Sequence, residues 1–252
     1  MNKHSGWLSA LVFVLGMAAA SGQDCYVIKK DGTKVPAVAI AANAAGDLLL
    51  QTDKSGQVKM PVKKGQYKYA MIPKPKEVVA LEQAFASGKF DDVLSGAGPA
   101  FEKYKFLGWG DHICYLEGSV QVERKQFAQA KETFERGMRV VSTHEVELVK
   151  GMVFALLGLN LASEAKPMLE RMIKSADDDM AAFAFNARAR LNANEGRKKE
   201  AVLDYLKTVL LFPSGPADPE REEAKKQVVA LLKEMNDPRW QEFEKMDLGS
   251  GK

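Results

Sequence analysis

The sequence is poor in the residues that build catalytic and metal centres. Its 252 residues include three histidines and two cysteines, and the motifs G-x-S-x-G, C-x-x-C and H-E-x-x-H are absent. His112 stands two residues before Cys114, but side chains at that spacing diverge on a helix, and no second ligand pair follows at metal spacing. We therefore expect no catalytic residues, no metal and no cofactor. Carboxylates brought together by folding are the alternative that would allow an enzyme.

A strong charge of one sign is also lacking. The net charge of +3 at pH 7 is too small for a nucleic-acid-binding protein. The charge is uneven, because residues 23–75 contain nine lysines against four aspartates, a net charge of +5. These lysines either contact an anionic surface or lie on solvated strand faces and protect sheet edges.

Long apolar runs are absent beyond the first residues. Lys3 is followed by an apolar run from Trp7 to Ala20 and by small residues, which predicts a secretory signal peptide over residues 1–22. Cleavage after Ala20 and after Gly22 both fit, and an uncleaved anchor is the alternative; the mass of the secreted protein distinguishes them. We expect a periplasmic or secreted protein with no transmembrane segment after cleavage.

Two cysteines permit one disulfide. Export would place Cys25 and Cys114 in an oxidising compartment, where they are able to pair. Cys114 stands among apolar residues of a predicted helix, so burial as a small hydrophobic residue is the alternative.

Residues 23–73 alternate between apolar and polar positions, which predicts strands. Turn signals separate about five short runs, so we expect a small antiparallel β meander, curled into an SH3-like or Sm-like barrel. Pro36 and Pro61 lack an N–H group and belong at sheet edges or bulges. Pro73 and Pro75 mark the boundary with the next segment.

Residues 76–215 change to a helical period and contain a repeat. Pairs of buried-type residues four apart recur at intervals of 35 to 37 residues. The pairs are Val93 and Ala97, Ala130 and Phe134, Ala165 and Leu169, and Ala201 and Tyr205. Five residues before each pair stands a residue where we expect a turn between helices: Gly88, Lys125, Asn160 and Gly196.

This pattern resembles the tetratricopeptide repeat, in which a small residue opens the second helix and an aromatic residue follows one turn later. The resemblance implies an α+β protein of the exported bacterial type, with the β module followed by about four helical hairpins stacked as a solenoid. Residues 216–252 are expected to form a capping helix and a flexible tail. Gly96, Gly98 and Pro99 predict a broken or kinked helix in the first hairpin.

The resemblance also implies a partner-binding groove lined by the first helix of each hairpin. Carried onto this chain, its positions are His112, Tyr115 and Ser119; Glu147, Lys150 and Phe154; and Phe183, Asn186 and Arg190. Lys150, Asn186 and Arg190 are expected to grip a carboxylate or a peptide backbone. The alternative is that all of these are solvated groove residues.

The expected function is that of a non-catalytic scaffold or adaptor that binds a protein or peptide partner in this groove. The alternative is a structural component of a cell-envelope assembly, in which the basic β module contacts an anionic polymer or pairs strands.

Overall fold

A computed structural model describes residues 25–140 and 144–249. The predicted signal peptide and the last three residues lie outside this part of the chain. Six strands precede ten helices within it. The strands are β1 (Cys25–Lys29), β2 (Lys34–Ala37), β3 (Ala39–Ala42), β4 (Leu48–Gln51), β5 (Lys59–Val62) and β6 (Tyr67–Met71).

The strands form two three-stranded antiparallel sheets. Their orders are β2-β1-β6 and β3-β4-β5, so the first and last strands of the module pair with each other. Val38 separates β2 from β3, and its N–H group donates to the carbonyl oxygen of Gln51 on β4 at 2.7 Å. The expected meander is present, and the count of five is corrected to six because one run bends at Val38 and contributes to both sheets. Pro36 and Pro61 lie in the edge strands β2 and β5, as predicted.

The helices follow in a single series. They are α1 (Lys76–Ala86), α2 (Phe90–Tyr104), α3 (Gly110–Glu123), α4 (Phe127–Arg139), α5 (Glu145–Gly158), α6 (Ala162–Ile173), α7 (Asp178–Asn194), α8 (Lys198–Leu211), α9 (Asp218–Glu234) and α10 (Trp240–Lys245). None of them combines the length and the apolar content that a membrane span requires.

The predicted turns between paired helices are confirmed. Gly88, Lys125, Asn160 and Gly196 all have φ between 57° and 79°, the left-handed conformation that ends one helix and redirects the chain. This conformation is favourable for glycine and accessible to asparagine, whereas Lys125 adopts it at a cost.

The repeated residue pairs form the helix contacts. All eight anchor residues are at most 1% exposed. Gly118 shows how close the packing is, because a Cβ atom there would lie 2.6 Å from the ring of Phe134. Small residues therefore allow neighbouring helices to approach, and the apolar face of each helix is covered by the next. The fold class is α+β, with small antiparallel sheets followed by helices in a tetratricopeptide-like arrangement.

Two helical predictions need correction. The break expected around Pro99 is not formed: α2 is one continuous helix, because burial of Val93, Ala97 and Ala100 along one face offsets the loss of one backbone hydrogen bond. A kink at Pro99 stays a prediction. The expected flexible tail contains a further helix, α10, which follows a left-handed turn at Asn236.

The chain divides into two compact units. Of the described residues, one unit comprises 25–124 together with 132–140 and 144–148, and the other comprises 125–131 and 149–249. In the first, α1 packs on α2 and α2 on α3; in the second, successive helices from α6 to α10 pack on one another. We refer to them below as unit 1 and unit 2.

Candidate functional site

The predicted groove residues of unit 1 lie on one face of α3. His112, Tyr115 and Ser119 are three and four residues apart, and Tyr115 and Ser119 are half-buried. The ring of His112 lies between those of Tyr115, with centroids 6.1 Å apart, and His144, at 4.5 Å. Its side chain is only 12% exposed, and its Nε2 atom lies 2.7 Å from Oε1 of Glu82. The alternative of a solvated groove residue is therefore wrong for His112, because packed rings and a carboxylate contact it.

Asp111 organises this cluster, and sequence reasoning missed it. It is fully buried, and its carboxylate accepts the backbone N–H groups of His112 at 2.8 Å and His144 at 2.9 Å. Nδ1 of His144 lies 3.1 Å from the same carboxylate. His144 directly precedes α5, so Asp111 joins the start of α3 to the start of α5.

The pKa values of the two histidines shift in opposite directions. The hydrogen bond with Asp111 is the main cause that raises the pKa of His144. Burial is the main cause that lowers the pKa of His112, and the neighbouring His144 lowers it further. The protonated form is therefore favoured at His144 and the neutral form at His112.

Replacing His144 by glutamine is expected to cost more unfolding free energy at pH 5 than at pH 8. A raised folded-state pKa contributes stability that is complete below the unfolded pKa of 6.5 and is lost as pH rises through the folded value. His112→Gln should cost less unfolding free energy at pH 5 than at pH 8. The lowered folded-state pKa of His112 means that the unmodified protein loses stability as pH falls. Urea unfolding at pH 5, 6.5 and 8 checks both; equal costs at all three values would contradict the assignment.

Four predicted groove residues of unit 2 line a cavity of about 110 Å³, and Lys150 lies outside its lining. α5 contributes Phe154, α7 contributes Phe183, Asn186 and Arg190, and α9 adds carboxylates at its first two turns. The rings of Phe154 and Phe183 meet edge to face with centroids 5.2 Å apart. The cavity is therefore apolar on one side and polar on the other, with room for one small side chain.

The cations of this site already have partners. Lys150 Nζ lies 2.6 Å from Asp179 Oδ2 and 5.2 Å from the ring centroid of Phe183. Arg190 pairs with Glu223 at 3.3 Å, and its guanidinium lies 5.7 Å from the ring centroid of Phe154. A ligand carboxylate would have to compete with both acidic groups, so the expected carboxylate grip by Lys150 and Arg190 is not favoured.

Asn186 is the most deeply buried polar residue of the site. It is 2% exposed, and its Nδ2 donates to the carbonyl oxygen of Glu220 at 2.8 Å and to Glu220 Oε2 at 2.6 Å. These two acceptors fix the orientation of the amide. Its Oδ1 atom accepts no hydrogen bond from the described part of the chain. Burial raises the pKa of the neighbouring Glu220 carboxyl, although Asn186 opposes that shift.

The cysteines give no further site. Cys25 and Cys114 are free thiols, so the disulfide that the sequence left possible is not formed in this structure, and Cys114 is buried within α3 as a small hydrophobic residue. Burial raises the pKa of each thiol to about 11, which keeps both protonated. In residues 25–140 and 144–249, no three His, Cys, Asp or Glu side chains are placed to hold a metal ion.

Comparison with known proteins gives one structural likeness. No protein-family model matches the chain, and no curated protein does. The solved structure of YrrB, described as a TPR protein with an unusual peptide-binding site, is 17% identical, with a TM-score of 0.44. The match covers 66% of this chain and 80% of that one. This likeness concerns the arrangement of helices alone.

Proposed function

We propose that the protein is an exported, non-catalytic scaffold that binds an internal peptide segment of a partner protein in the unit 2 cavity. The observation that carries this proposal is the Oδ1 atom of Asn186, a buried acceptor beside the cavity without a hydrogen bond from the described residues. Buried polar atoms are nearly always paired, and a backbone N–H group of a ligand would supply the missing donor.

The charges of the site support an internal segment over a chain terminus. Asp179, Glu220 and Glu223 stand against Lys150 and Arg190, so the site has no spare positive charge for a terminal carboxylate. The rings of Phe154 and Phe183 offer an apolar contact to one small side chain of the peptide.

Selection of a random peptide library on the purified protein tests this proposal. We expect enriched peptides whose affinity falls about tenfold or more in Asn186→Ala, because the variant removes a fully buried hydrogen-bond acceptor. Asn192→Ala is the matched control, since Asn192 lies on the same helix, outside the lining of the cavity, and pairs with Asp204. Binding to the control should equal that of the unmodified protein.

A second variant keeps the test informative if Asn186→Ala unfolds. Lys150→Ala/Arg190→Ala removes two partly exposed side chains that cover the aromatic rings, and thermal melting verifies its fold. Weakened binding with unchanged melting supports the cavity. An absence of enriched peptides, or peptides that bind every folded variant equally, would reject the proposal.

A further inference from the structure

A strand edge in unit 1 is available for pairing. Among the described strands, the order β2-β1-β6 gives β6 a strand partner on one side only. β2, β3 and β5 are also edge strands. Pro36 and Pro61 deprive β2 and β5 of a donor each, whereas β6 contains no proline and, unlike β3, borders a cavity.

The N–H group of Ile72, just beyond β6, is bonded to Leu107. A Cβ atom at Gly108 would lie 2.8 Å from the carbonyl oxygen of Ala70, so the segment with Leu107 and Gly108 covers the end of this edge. The stretch from Tyr67 to Tyr69 is therefore the part along which an extended segment is able to form backbone hydrogen bonds.

A cavity of about 280 Å³ runs along this edge. Four consecutive residues of β6, from Tyr67 to Ala70, line it. Successive side chains of a strand point to opposite faces, so a cavity on one face would be lined by every second residue. Lining by four in a row places the cavity beside the backbone edge. Phe106, from the turn after α2, also lines it.

The cavity is basic. Lys64, Lys68, Lys105 and Arg139 line it, and among the residues that the structure describes no carboxylate belongs to its lining. Lys105 pairs with Glu102 and Arg139 with Glu135, both from outside the cavity.

The two lysines of the β module are the cations available to a ligand. In the described part of the chain, the ammonium groups of Lys64 and Lys68 have no carboxylate within ion-pair distance. The nearby carboxylate of Asp47 pairs with Lys63 and accepts only the backbone N–H group of Lys64. Lys64 Nζ lies 5.0 Å from the ring centroid of Phe106, so charge and apolar surface are adjacent.

We propose that the β6 edge and its cavity bind an extended acidic segment of a partner protein. The segment pairs with β6 through its backbone, its acidic side chains meet Lys64 and Lys68, and one apolar side chain contacts Phe106. The edge of a strand favours a peptide over an anionic polysaccharide or a nucleic acid, because these lack the alternating amide groups of a polypeptide. This site belongs to unit 1 and is separate from the cavity proposed above for unit 2.

Fluorescence anisotropy with a labelled peptide tests the site. The probe is a seven-residue peptide in which glutamates alternate with valine and a central phenylalanine. Two further versions carry backbone N-methyl groups at alternate residues, in either of the two alternating frames. Since alternate N–H groups of a paired strand face its neighbour, we expect one methylated version to lose about tenfold or more in affinity and the other to keep it.

Charge-reversed variants locate the site. Lys64→Glu/Lys68→Glu should weaken binding of the probe by about tenfold or more, because both exposed lysines border the cavity. Lys54→Glu/Lys59→Glu makes the same charge change at exposed positions of the same module outside the cavity lining and should have little effect. No binding of the probe, or equal losses in both variants, would overturn the proposal. Retained affinity of both methylated peptides, with dextran sulfate competing, would assign a polyanion surface instead and would overturn it as well.

Discussion

Replacement of Tyr205 by alanine is expected to lower the free energy of unfolding by about 3–5 kcal/mol, the range for truncating a large buried aromatic side chain. Tyr205 is 1% exposed and packs in a cluster with Ala201 and Val209 of α8 and with Val228 and Leu232 of α9. It is the aromatic residue of its repeat, so its loss opens a cavity between successive hairpins. Denaturant unfolding measures the change.

Tyr205→Phe is the matched control for this prediction. It keeps the ring and removes the hydroxyl group, which interacts with Arg190, so the expected loss is only about 1 kcal/mol. A loss below about 1 kcal/mol for Tyr205→Ala would contradict the prediction, because it would mean that the ring does not fill a tightly packed contact between α8 and α9.

Replacement of Asp111 by alanine is expected to lower the free energy of unfolding by about 3–5 kcal/mol, the range for removing one partner of a buried, hydrogen-bonded charge pair. Asp111 is fully buried and joins the backbone of His112 to the backbone and side chain of His144. The alanine variant leaves buried donors without an acceptor. It should also remove most of the pH dependence that His144 contributes, because that carboxylate is the main cause of the raised pKa.

Asp111→Asn separates charge from hydrogen bonding. It keeps an acceptor oxygen, so we expect a smaller loss of stability than in the alanine variant, together with the same loss of pH dependence. Unfolding curves at pH 5 and pH 8 for the three proteins give both quantities. Equal stability of the alanine variant and the unmodified protein would contradict the structural role assigned to Asp111.

The helical repeat was largely predictable because its residues act locally. Turn residues such as Asn160 and Gly196 ended helices in the left-handed conformation, and small residues such as Ala130 and Ala201 were fully buried. Backbone conformation and side-chain size are properties of single positions, so a spacing of about one repeat was sufficient to identify them.

The errors concern features that depend on packing between elements. Pro99 suggested a break in α2, but burial of the surrounding face keeps the helix continuous. Residues 216–252 were expected to end in a flexible tail, whereas Trp240 and Phe243 of α10 pack on the cluster of α8 and α9. Neither outcome follows from local propensity alone.

The polar contacts of the candidate site were not predicted, although a signal for them exists. Lys150 and Asp179 are 29 residues apart, Arg190 and Glu223 are 33 apart, and the Asp111 contact with His144 also spans 33. Each interval is close to one repeat, so opposite charges one period apart indicate pairs between successive hairpins. The pairs of Lys150 with Asp179 and of Arg190 with Glu223 are partly exposed and contribute at most about 1 kcal/mol each, but they neutralise the cations that we expected to bind a carboxylate.

The most direct test of the account is an experimental structure of the protein with a peptide selected on it. We predict that a backbone N–H group of the peptide donates to Oδ1 of Asn186 and that an apolar side chain contacts Phe154 and Phe183. A selected peptide bound elsewhere, with the acceptor of Asn186 still unpaired, would contradict the proposed function.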